Sequence, residues 1–194
     1  MTKLTSLCVY CGASNRVSQR HRDAAFALGR ALAQRGIRLV FGGGGIGLMG
    51  MVADGVIAGG GEAIGIIPGH LHDLEVGHNG IGQLVVVSSM HERKQRMFEL
   101  SDAFAVLPGG LGTLDETFEI ITWKQLRLHD KPVVIVDIDG YWQPLLAAID
   151  HCARAGYVRA EHRALYQVVA GIDDVFSAIE AAPPPTIGTD ARRL

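Results

Sequence analysis

Short apolar segments alternate along the chain with longer segments in which apolar residues recur every three or four positions. The short segments have the length and composition of strands that are buried on both faces, and the longer ones have the period of amphipathic helices. Strands that alternate with helices are typical of parallel sheets, so the pattern predicts an α/β fold in which a central parallel sheet is flanked by helices. The predicted strands are residues 7–10, 38–41, 63–67, 84–87, 103–107 and 133–136, and the predicted helices are residues 19–34, 48–58, 90–100, 114–128, 142–155 and 173–181.

Two stretches depart from this alternation. Residues 68–83 are rich in glycine and histidine and show no periodicity, which is typical of a long functional loop. Residues 182–194 begin with an alanine and three consecutive prolines, and we expect a loosely ordered tail there. The remaining residues, 1–181, are predicted to form a single domain.

The composition is that of a globular protein with a substantial core, because 48% of the 194 residues are hydrophobic. The formal net charge of −2 gives no electrostatic reason to expect binding to nucleic acid or to an anionic membrane, since both usually require a basic excess. The N-terminus lacks the pattern of a signal peptide, and no apolar segment there is long enough to span a bilayer as a helix. We therefore expect a cytoplasmic protein with no membrane partner.

The three cysteines are expected to be reduced thiols, because no secretion signal accompanies them and their number is odd. Cys8 and Cys11 form a C-x-x-C motif, but they lie in or just after a predicted strand. Redox pairs of this spacing use a helix N-terminus to stabilise the thiolate. A buried structural role is therefore favoured over a redox or metal-binding role.

Turns of small residues follow three of the predicted strands, at residues 12–15, 42–50 and 108–113, and the last two are rich in glycine. Ligands of open parallel sheets bind beyond the carboxyl ends of the strands, where such turns expose backbone N–H groups. A turn that opens a helix favours phosphate, and Thr113 adds a hydroxyl donor. Tight packing of strand against helix is the alternative for one isolated glycine loop, whereas two loops in one crevice favour a phosphorylated ligand. The candidate contacts from the first two turns are Ser14, Gly43, Gly44, Gly47 and Met49.

Two common nucleotide-binding motifs are disfavoured. The glycine run follows the second strand, and the segment about 20 residues beyond it offers no acidic residue for the ribose of a dinucleotide. No G-K-[ST] sequence follows either glycine run, so a P-loop is absent as well.

Three carboxylates lie close together after the third of these turns. Thr113 and Glu116 match a capping box, in which the threonine caps a helix that begins at Leu114 and the glutamate reaches back to the cap. A cap needs one acid, yet Asp115 and Glu119 lie roughly on the same side of this predicted helix. Carboxylates at the mouth of a crevice are suited to bind ribose hydroxyls, activate water or stabilise a cationic transition state.

A second capping box, Ser89 to Glu92, is followed by Arg93, Lys94 and Arg96. Cations in the first turns of a helix oppose its dipole, so an anionic partner explains this cluster better than helix stability does. A solvated basic face is the alternative. The histidines, including His70, His72 and His78, show no metal-ligand spacing, and we expect loop residues and no metal site.

These motifs together resemble the LOG (Lonely Guy) family of cytokinin riboside 5′-monophosphate phosphoribohydrolases, which older annotation calls "possible lysine decarboxylase". The resemblance is carried by GGGGIGLMG at 42–50, MHERK at 90–94, PGGLGTLDE at 108–116 and ITW at 121–123, and it extends from about residue 7 to residue 157. It implies a Rossmann-like homodimer that cleaves the N-glycosidic bond of adenosine-type 5′-monophosphates, including AMP, to give a free base and ribose 5-phosphate. It implies no cofactor.

The resemblance also implies roles for individual residues. Arg93 and Glu116 match the catalytic pair of the family. The decarboxylase label does not fit, because no residue pattern indicates a pyridoxal phosphate site with its Schiff-base lysine. The implied substrate contacts are Glu75, Arg93, Lys94, Gly109, Gly110, Leu111, Gly112, Thr113, Leu114, Asp115, Glu116 and Thr122.

Two other functions remain open at this point: an AMP nucleosidase of nucleotide salvage, and a non-catalytic binding protein like the molybdenum-cofactor carriers. The intact pair Arg93 and Glu116 argues against the carrier. We also expect the dimer contact to include the predicted helix 114–128, because its apolar residues lie on more than one side. These residues are Phe118, Ile121, Trp123, Leu126 and Leu128.

Overall fold

The computed structural model describes residues 4–72, 80–183 and 187. Within these ranges the chain forms a seven-stranded, all-parallel sheet with helices on both faces, which confirms the predicted α/β class. The strands are β1 Ser6–Tyr10, β2 Arg38–Phe41, β3 Ala63–Pro68, β4 Gln83–Val87, β5 Ala103–Val106, β6 Val133–Val136 and β7 Gln167–Val169. The helices are α1 Gln19–Gln34, α2 Gly47–Ala58, α3 Gly69–His72, α4 Met90–Glu99, α5 Leu111–Gln125, α6 Gln143–Arg154 and α7 Val175–Ala181.

The strand order places a ligand crevice at one defined position. The order is β4-β3-β2-β1-β5-β6-β7, so the chain builds outward from β1 in one direction and then from β5 in the other. The connections after β1 and β5 therefore leave the sheet on opposite faces, and a crevice opens between their carboxyl ends. Here the turn after β1 contacts the turn after β5, since the Gly12 N–H donates to the Pro108 carbonyl at 3.0 Å.

Two apolar cores hold the helices on the sheet. Helices α1, α2 and α7 pack on one face, and α4, α5 and α6 pack on the other. Successive strand residues alternate between the two cores, so Cys8 belongs to one and Cys11 to the other. Both thiols are buried and free, which agrees with the structural role expected for them.

The contact between α1 and α2 is made by glycines. A Cβ atom at Gly29 would lie 2.1 Å from the Val52 carbonyl oxygen, and one at Gly55 would lie 2.1 Å from the Phe26 carbonyl oxygen. The two helix backbones therefore touch, which fixes α2 and the glycine-rich turn that precedes it.

Most predicted elements are confirmed to within one residue at each end, but several are wrong. Strand β7 was missed because its three residues contain no long apolar run, and α3 was missed inside the predicted loop. Strand β4 is not buried on both faces, because it lies at the sheet edge and Val86 is 56% exposed. The predicted helix 173–181 instead begins with a short 3-10 turn before α7.

The start of α5 also differs from the prediction. The helix begins at Leu111, with Gly110 as its N-cap and no side-chain hydrogen bond at the cap. The Leu114 N–H already donates to the Gly110 carbonyl at 3.0 Å, so Thr113 lies inside the helix. The predicted capping box of Thr113 and Glu116 is therefore wrong, and the capping role of Glu116 disappears with it. The helix ends at Gln125 because Arg127 adopts a positive φ of 58° shortly afterwards.

No helix within the described ranges is both long enough and apolar enough to cross a membrane. Most of the predicted tail, 182–194, lies outside the described residues. Ile187 is described, and its backbone N–H donates to the Asp130 carboxylate at 3.0 Å.

Candidate active site

A cleft opens at the carboxyl ends of β1 and β2, between the first turns of α4 and α5. It lies at the crevice that the strand order predicts. Six of the predicted contacts line it: Met49, Arg93, Gly110, Gly112, Thr113 and Glu116. The other lining residues are Val9, Cys11, Gly12, Ala13, Gly42 and Met97.

Arg93 enters the cleft from α4 and is almost completely buried, with 7% of its surface exposed. Its Nε donates to the Ile66 carbonyl at 3.2 Å, and its Nη2 donates to the Gly42 carbonyl at 3.3 Å. Ile66 lies in β3 and Gly42 directly follows β2, so the backbone at the carboxyl ends of these two strands holds the guanidinium group in place. A Cβ atom at Gly42 would lie 1.8 Å from Nη2, so the first glycine of the run makes room for Arg93.

Glu116 enters the same cleft from the second turn of α5, and it is 9% exposed. Its Oε1 lies 3.9 Å from Nη2 of Arg93, which is an ion-pair distance but too long for a hydrogen bond. Burial raises the pKa of the Glu116 carboxyl to about 7, and the positive charge of Arg93 opposes this rise only in part. A carboxyl with this pKa changes its protonation state near neutral pH, as a general acid or base requires.

The other two carboxylates of α5 have a different partner. Lys94 Nζ donates to Asp115 Oδ2 at 3.1 Å and to Glu119 Oε1 at 2.9 Å, and these bonds join α4 to α5. The three acids are therefore divided, with Glu116 in the cleft and its two neighbours on Lys94. Arg96 pairs with Glu99 at 3.1 Å within α4. The solvated basic face considered for this cluster is wrong for Arg93 and Lys94, which face carboxylates.

Helix α4 begins at the predicted N-cap, Ser89, whose hydroxyl accepts the Glu92 N–H at 3.1 Å. The Glu92 carboxylate does not complete the expected box on Ser89. It accepts the backbone N–H of Ser88 at 2.8 Å and the Ser88 hydroxyl at 2.6 Å. The Glu92 carboxylate therefore binds Ser88, one residue before the Ser89 that the motif predicts.

The glycines of the turn after β5 divide into two kinds. A Cβ atom at Gly109 would lie 2.1 Å from Thr113 Oγ1, so Gly109 permits close packing. Gly110 and Gly112 have no atom within 4 Å of an added Cβ, and both line the cleft. Their missing side chains leave the first backbone amides of α5 open to a ligand, where the helix dipole favours an anion.

Glycines of the turn after β2 serve packing. Gly43 and Gly47 have positive φ angles of 78° and 67°, which favour glycine. A Cβ atom at Gly47 would lie 2.5 Å from the Ser14 N atom, so this turn packs on the turn after β1. The packing interpretation of a glycine loop therefore holds for these two residues, while Gly42 and Met49 of the same run line the cleft.

The remaining predicted contacts that lie within the described ranges do not line the cleft of this chain. Leu111 and Thr122 are exposed on α5, and Glu75 lies outside the described residues. Ser14 is exposed on the turn after β1. The others that do not line it are Gly43, Gly44, Gly47, Lys94, Gly109, Leu114 and Asp115.

One contact to the turn after β5 was not predicted from the sequence. The Tyr141 hydroxyl, which follows β6, donates to the Gly109 carbonyl at 2.7 Å. Sequence patterns carry no signal for a contact between positions so far apart in the chain. Val9, Cys11 and Met97 also line the cleft, and none of them was predicted from the sequence to contact a ligand.

Neither a metal site nor a Schiff-base lysine is evident in this part of the molecule. Within the described ranges, no group of three histidine, cysteine or acidic residues is arranged to hold a metal ion. The residues that line the cleft in those ranges include no lysine that could hold pyridoxal phosphate.

The sequence matches a known protein family and 20 known proteins. Residues 49–179 match the family described as "Possible lysine decarboxylase". The probable cytokinin riboside 5′-monophosphate phosphoribohydrolase LOGL1 of Oryza sativa subsp. japonica is 47% identical over 157 residues, which cover 81% of this chain and 70% of that protein. Cytokinin riboside 5′-monophosphate phosphoribohydrolase LOG5 of Arabidopsis thaliana is 39% identical over 191 residues, which cover 98% and 84%.

Solved structures share the fold at lower identity. The molybdenum cofactor binding protein of Rippkaea orientalis superimposes with a TM-score of 0.70 at 19% identity, over 93% of this chain and 98% of that one. The molybdenum cofactor carrier protein of Chlamydomonas reinhardtii gives 0.69 at 21% identity, over 92% and 97%. At such identities the likeness concerns the Rossmann-like fold alone, whereas the sequence relatives establish the family. The chain therefore belongs to the LOG family.

Proposed function

We propose that this protein hydrolyses the N-glycosidic bond of adenosine-type 5′-monophosphates, including N6-modified cytokinin ribosides and AMP, to a free base and ribose 5-phosphate. The observation on which the proposal rests is the buried pair of Arg93 and Glu116, which share one cleft with the accessible N-terminus of α5. The names of the sequence relatives support the reaction and the class of substrate. An AMP nucleosidase without preference for N6 substituents would use the same residues.

Glu116 supplies the chemistry of the cleavage step in this proposal. Departure of the base builds positive charge on the ribose ring, and a nearby carboxylate stabilises that charge more in the transition state than in the ground state. The same carboxylate can hold or deprotonate the attacking water, as carboxylates do in glycoside hydrolysis. Both roles require the ionised form, so activity is expected to rise as Glu116 loses its proton.

The 5′-phosphate is proposed to bind at the N-terminus of α5. Gly110 and Gly112 leave the backbone amides of the first turn accessible, and Thr113 adds a hydroxyl on the cleft wall. Arg93 lies across the cleft as a fixed positive charge that orients the nucleotide. Tyr141 supports this turn through its bond to the Gly109 carbonyl.

The remaining contacts that the family resemblance implies differ in their position relative to the cleft. Glu75 is proposed to meet the ribose or the base. Neither Leu114 nor Asp115 lines the cleft of this chain. Ser14, Gly43, Gly44 and Gly47 are proposed to shape the cleft through packing of the two turns.

We further propose that the protein is a homodimer that associates through α5. Leu111, Phe118 and Leu126 are 86%, 44% and 60% exposed, and their spacing of about two helical turns places them along one face. An exposed apolar stripe of this kind marks an interaction site. Thr122 lies on the same helix face, which suits a contact made towards the neighbouring subunit.

Within the described residues, the cleft has a volume of about 200 Å³ and is open to solvent beside the N-terminus of α5. A second subunit packed on α5, beside the cleft, would add further walls.

Replacing Glu116 by glutamine is expected to abolish base release while the fold is kept. Glutamine has the same shape but cannot carry the negative charge, so the rate should fall on the order of a hundredfold or more. The measurement is release of base from AMP and from N6-isopentenyladenosine monophosphate, with thermal melting as the control for folding. Turnover near that of the unchanged protein, at an equal melting temperature, would contradict a catalytic role.

Removing the 5′-phosphate from the substrate is expected to lower kcat as well as affinity. Binding energy from the phosphate at α5 is used to orient the ribose, so adenosine should react much more slowly than AMP even at saturation. Steady-state kinetics with both substrates measure this difference, and inorganic phosphate should compete with AMP. Equal turnover of nucleoside and nucleotide would refute the phosphate site.

Placing a charge on the α5 stripe is expected to dissociate the dimer. Phe118→Asp puts a carboxylate into the proposed apolar contact, whereas Ile57→Asp, on the opposite face of the sheet and 40% exposed, serves as a matched control. Sedimentation should show a monomer of about 20.7 kDa for the first variant only. A fully active monomer of the unchanged protein would disprove the dimer.

A further inference from the structure

Two hydrogen bonds hold the turn after β5 from its neighbours in the sheet. The Tyr141 hydroxyl donates to the Gly109 carbonyl at 2.7 Å, and the Gly12 N–H donates to the Pro108 carbonyl at 3.0 Å. The first donor comes from the turn after β6, and the second comes from the turn after β1. The two carbonyl groups that directly precede Gly110, the N-cap of α5, are therefore both held in place.

The backbone of Tyr141 is fixed by a tight turn. Asp139 and Gly140 adopt positive φ angles of 55° and 73°, which reverse the chain shortly after β6. The Tyr141 N–H donates to the Ile138 carbonyl at 3.1 Å and closes this turn. The guanidinium group of Arg20, on α1, forms an ion pair with the Asp139 carboxylate at 2.8 Å.

The ring of Tyr141 is held as well. It packs edge-to-face on the rings of His21 and Trp142, at centroid distances of 5.6 and 4.9 Å. The hydroxyl is thus directed at the Gly109 carbonyl by both the backbone and the ring. Because 43% of Tyr141 is exposed, this hydrogen bond contributes little to the stability of the fold, which favours a role in the site.

The peptide group between Gly109 and Gly110 is one that needs such support. A peptide group is planar and trans, so its C=O and N–H point in opposite directions, and holding the Gly109 carbonyl also fixes the direction of the Gly110 N–H. Glycine on both sides removes the Cβ contacts that restrict rotation of other peptide groups, so this one can turn over. Gly110 lines the cleft, whereas Gly109 and Tyr141 do not.

We propose that Tyr141 is a positioning residue for the phosphate site: its hydroxyl keeps the Gly109 carbonyl away from the cleft, so that the Gly110 N–H faces the 5′-phosphate. If the peptide turned over, a carbonyl oxygen would replace the N–H donor and would repel the anion. Tyr141 acts through the backbone of the turn. This inference rests on the proposed function, since it concerns the phosphate site at α5.

The test compares ligand binding to Glu116→Gln and to the double variant Glu116→Gln/Tyr141→Phe, so that AMP is not consumed during a calorimetric titration. Phenylalanine keeps the ring and its packing and removes only the hydroxyl. AMP and inorganic phosphate should bind about tenfold more weakly to the double variant, which is the effect of one lost hydrogen bond to a charged group. Adenosine should bind equally to both proteins, because it has no phosphate to meet the turn.

Tyr157→Phe in the same Glu116→Gln background is the matched control. Tyr157 is 88% exposed and follows α6, whose C-terminal end lies at the opposite edge of the sheet from the cleft. Its loss of a hydroxyl should change none of the three affinities. Equal affinity for AMP with and without the Tyr141 hydroxyl would overturn the proposal. An equal loss for AMP and adenosine would also overturn it, because that result indicates a general structural effect.

A crystal structure of Tyr141→Phe distinguishes support of the backbone from direct contact with the ligand. The proposal predicts that the peptide between Gly109 and Gly110 is turned over or adopts two orientations in this variant. A hydroxyl that bound the phosphate directly would leave the peptide unchanged, and that result would contradict the proposal. Thermal melting is the control for folding, and the melting temperature should fall by no more than about 4 °C.

Failure of the inference and failure of the proposed function give different results. If the unchanged protein releases no base from AMP, the proposed function fails, and the titration with inorganic phosphate still tests the role of Tyr141. If the unchanged protein releases base and the loss of the Tyr141 hydroxyl leaves phosphate binding unchanged, the inference alone fails.

Discussion

The burial of the Glu116 carboxylate beside the Arg93 guanidinium is the constraint on which the rest of the site depends. At 3.9 Å the two groups attract each other but form no hydrogen bond, so their attraction does not offset the cost of removing both from water. Such a pair contributes little to stability. Its geometry is maintained by the surrounding backbone, chiefly by the carbonyls of Ile66 and Gly42 at the strand ends.

The glycines of the chain make this arrangement possible in three different ways. Gly42 leaves space for the guanidinium group, and Gly29 and Gly55 bring α1 and α2 into backbone contact. Gly110 and Gly112 leave the first turn of α5 open to the cleft. These glycines therefore allow close packing in one part of the structure and access for a ligand in another.

Much of this architecture is predictable from the sequence, because buried strands and amphipathic helices have distinct periods. The parallel sheet and the cleft at the strand ends follow from patterns of neighbouring residues. The presence of Arg93 and Glu116 in one site was implied by the family resemblance. The start of α5 was not predictable in the same way. Thr113 matches the capping motif in the sequence, but in the structure the helix already begins at Leu111, directly after Gly110. Contacts between distant segments, such as Tyr141 with Gly109, leave no local pattern at all.

The different partners of the three acidic residues on α5 could not be predicted either. The sequence places these residues on one side of a helix but does not show which side chains they contact. In the structure Lys94 forms ion pairs with Asp115 and Glu119, and Glu116 lies in the cleft. Because burial raises the pKa of Glu116 above that of the unfolded chain, its contribution to stability is present at low pH and is lost as the pH rises through about 7. The fold thus disfavours the ionised form that the reaction requires.

The ionisation of Glu116 in the free protein is the most direct test of this account. The protein is labelled with 13C at the side-chain carboxyl of glutamate, and the Glu116 resonance is assigned by its loss in Glu116→Gln and followed with pH. The account predicts a midpoint at about 7. A midpoint near the ordinary glutamate value, roughly 4.3, would show that the carboxylate is not held in a desolvated cleft and would contradict the central claim.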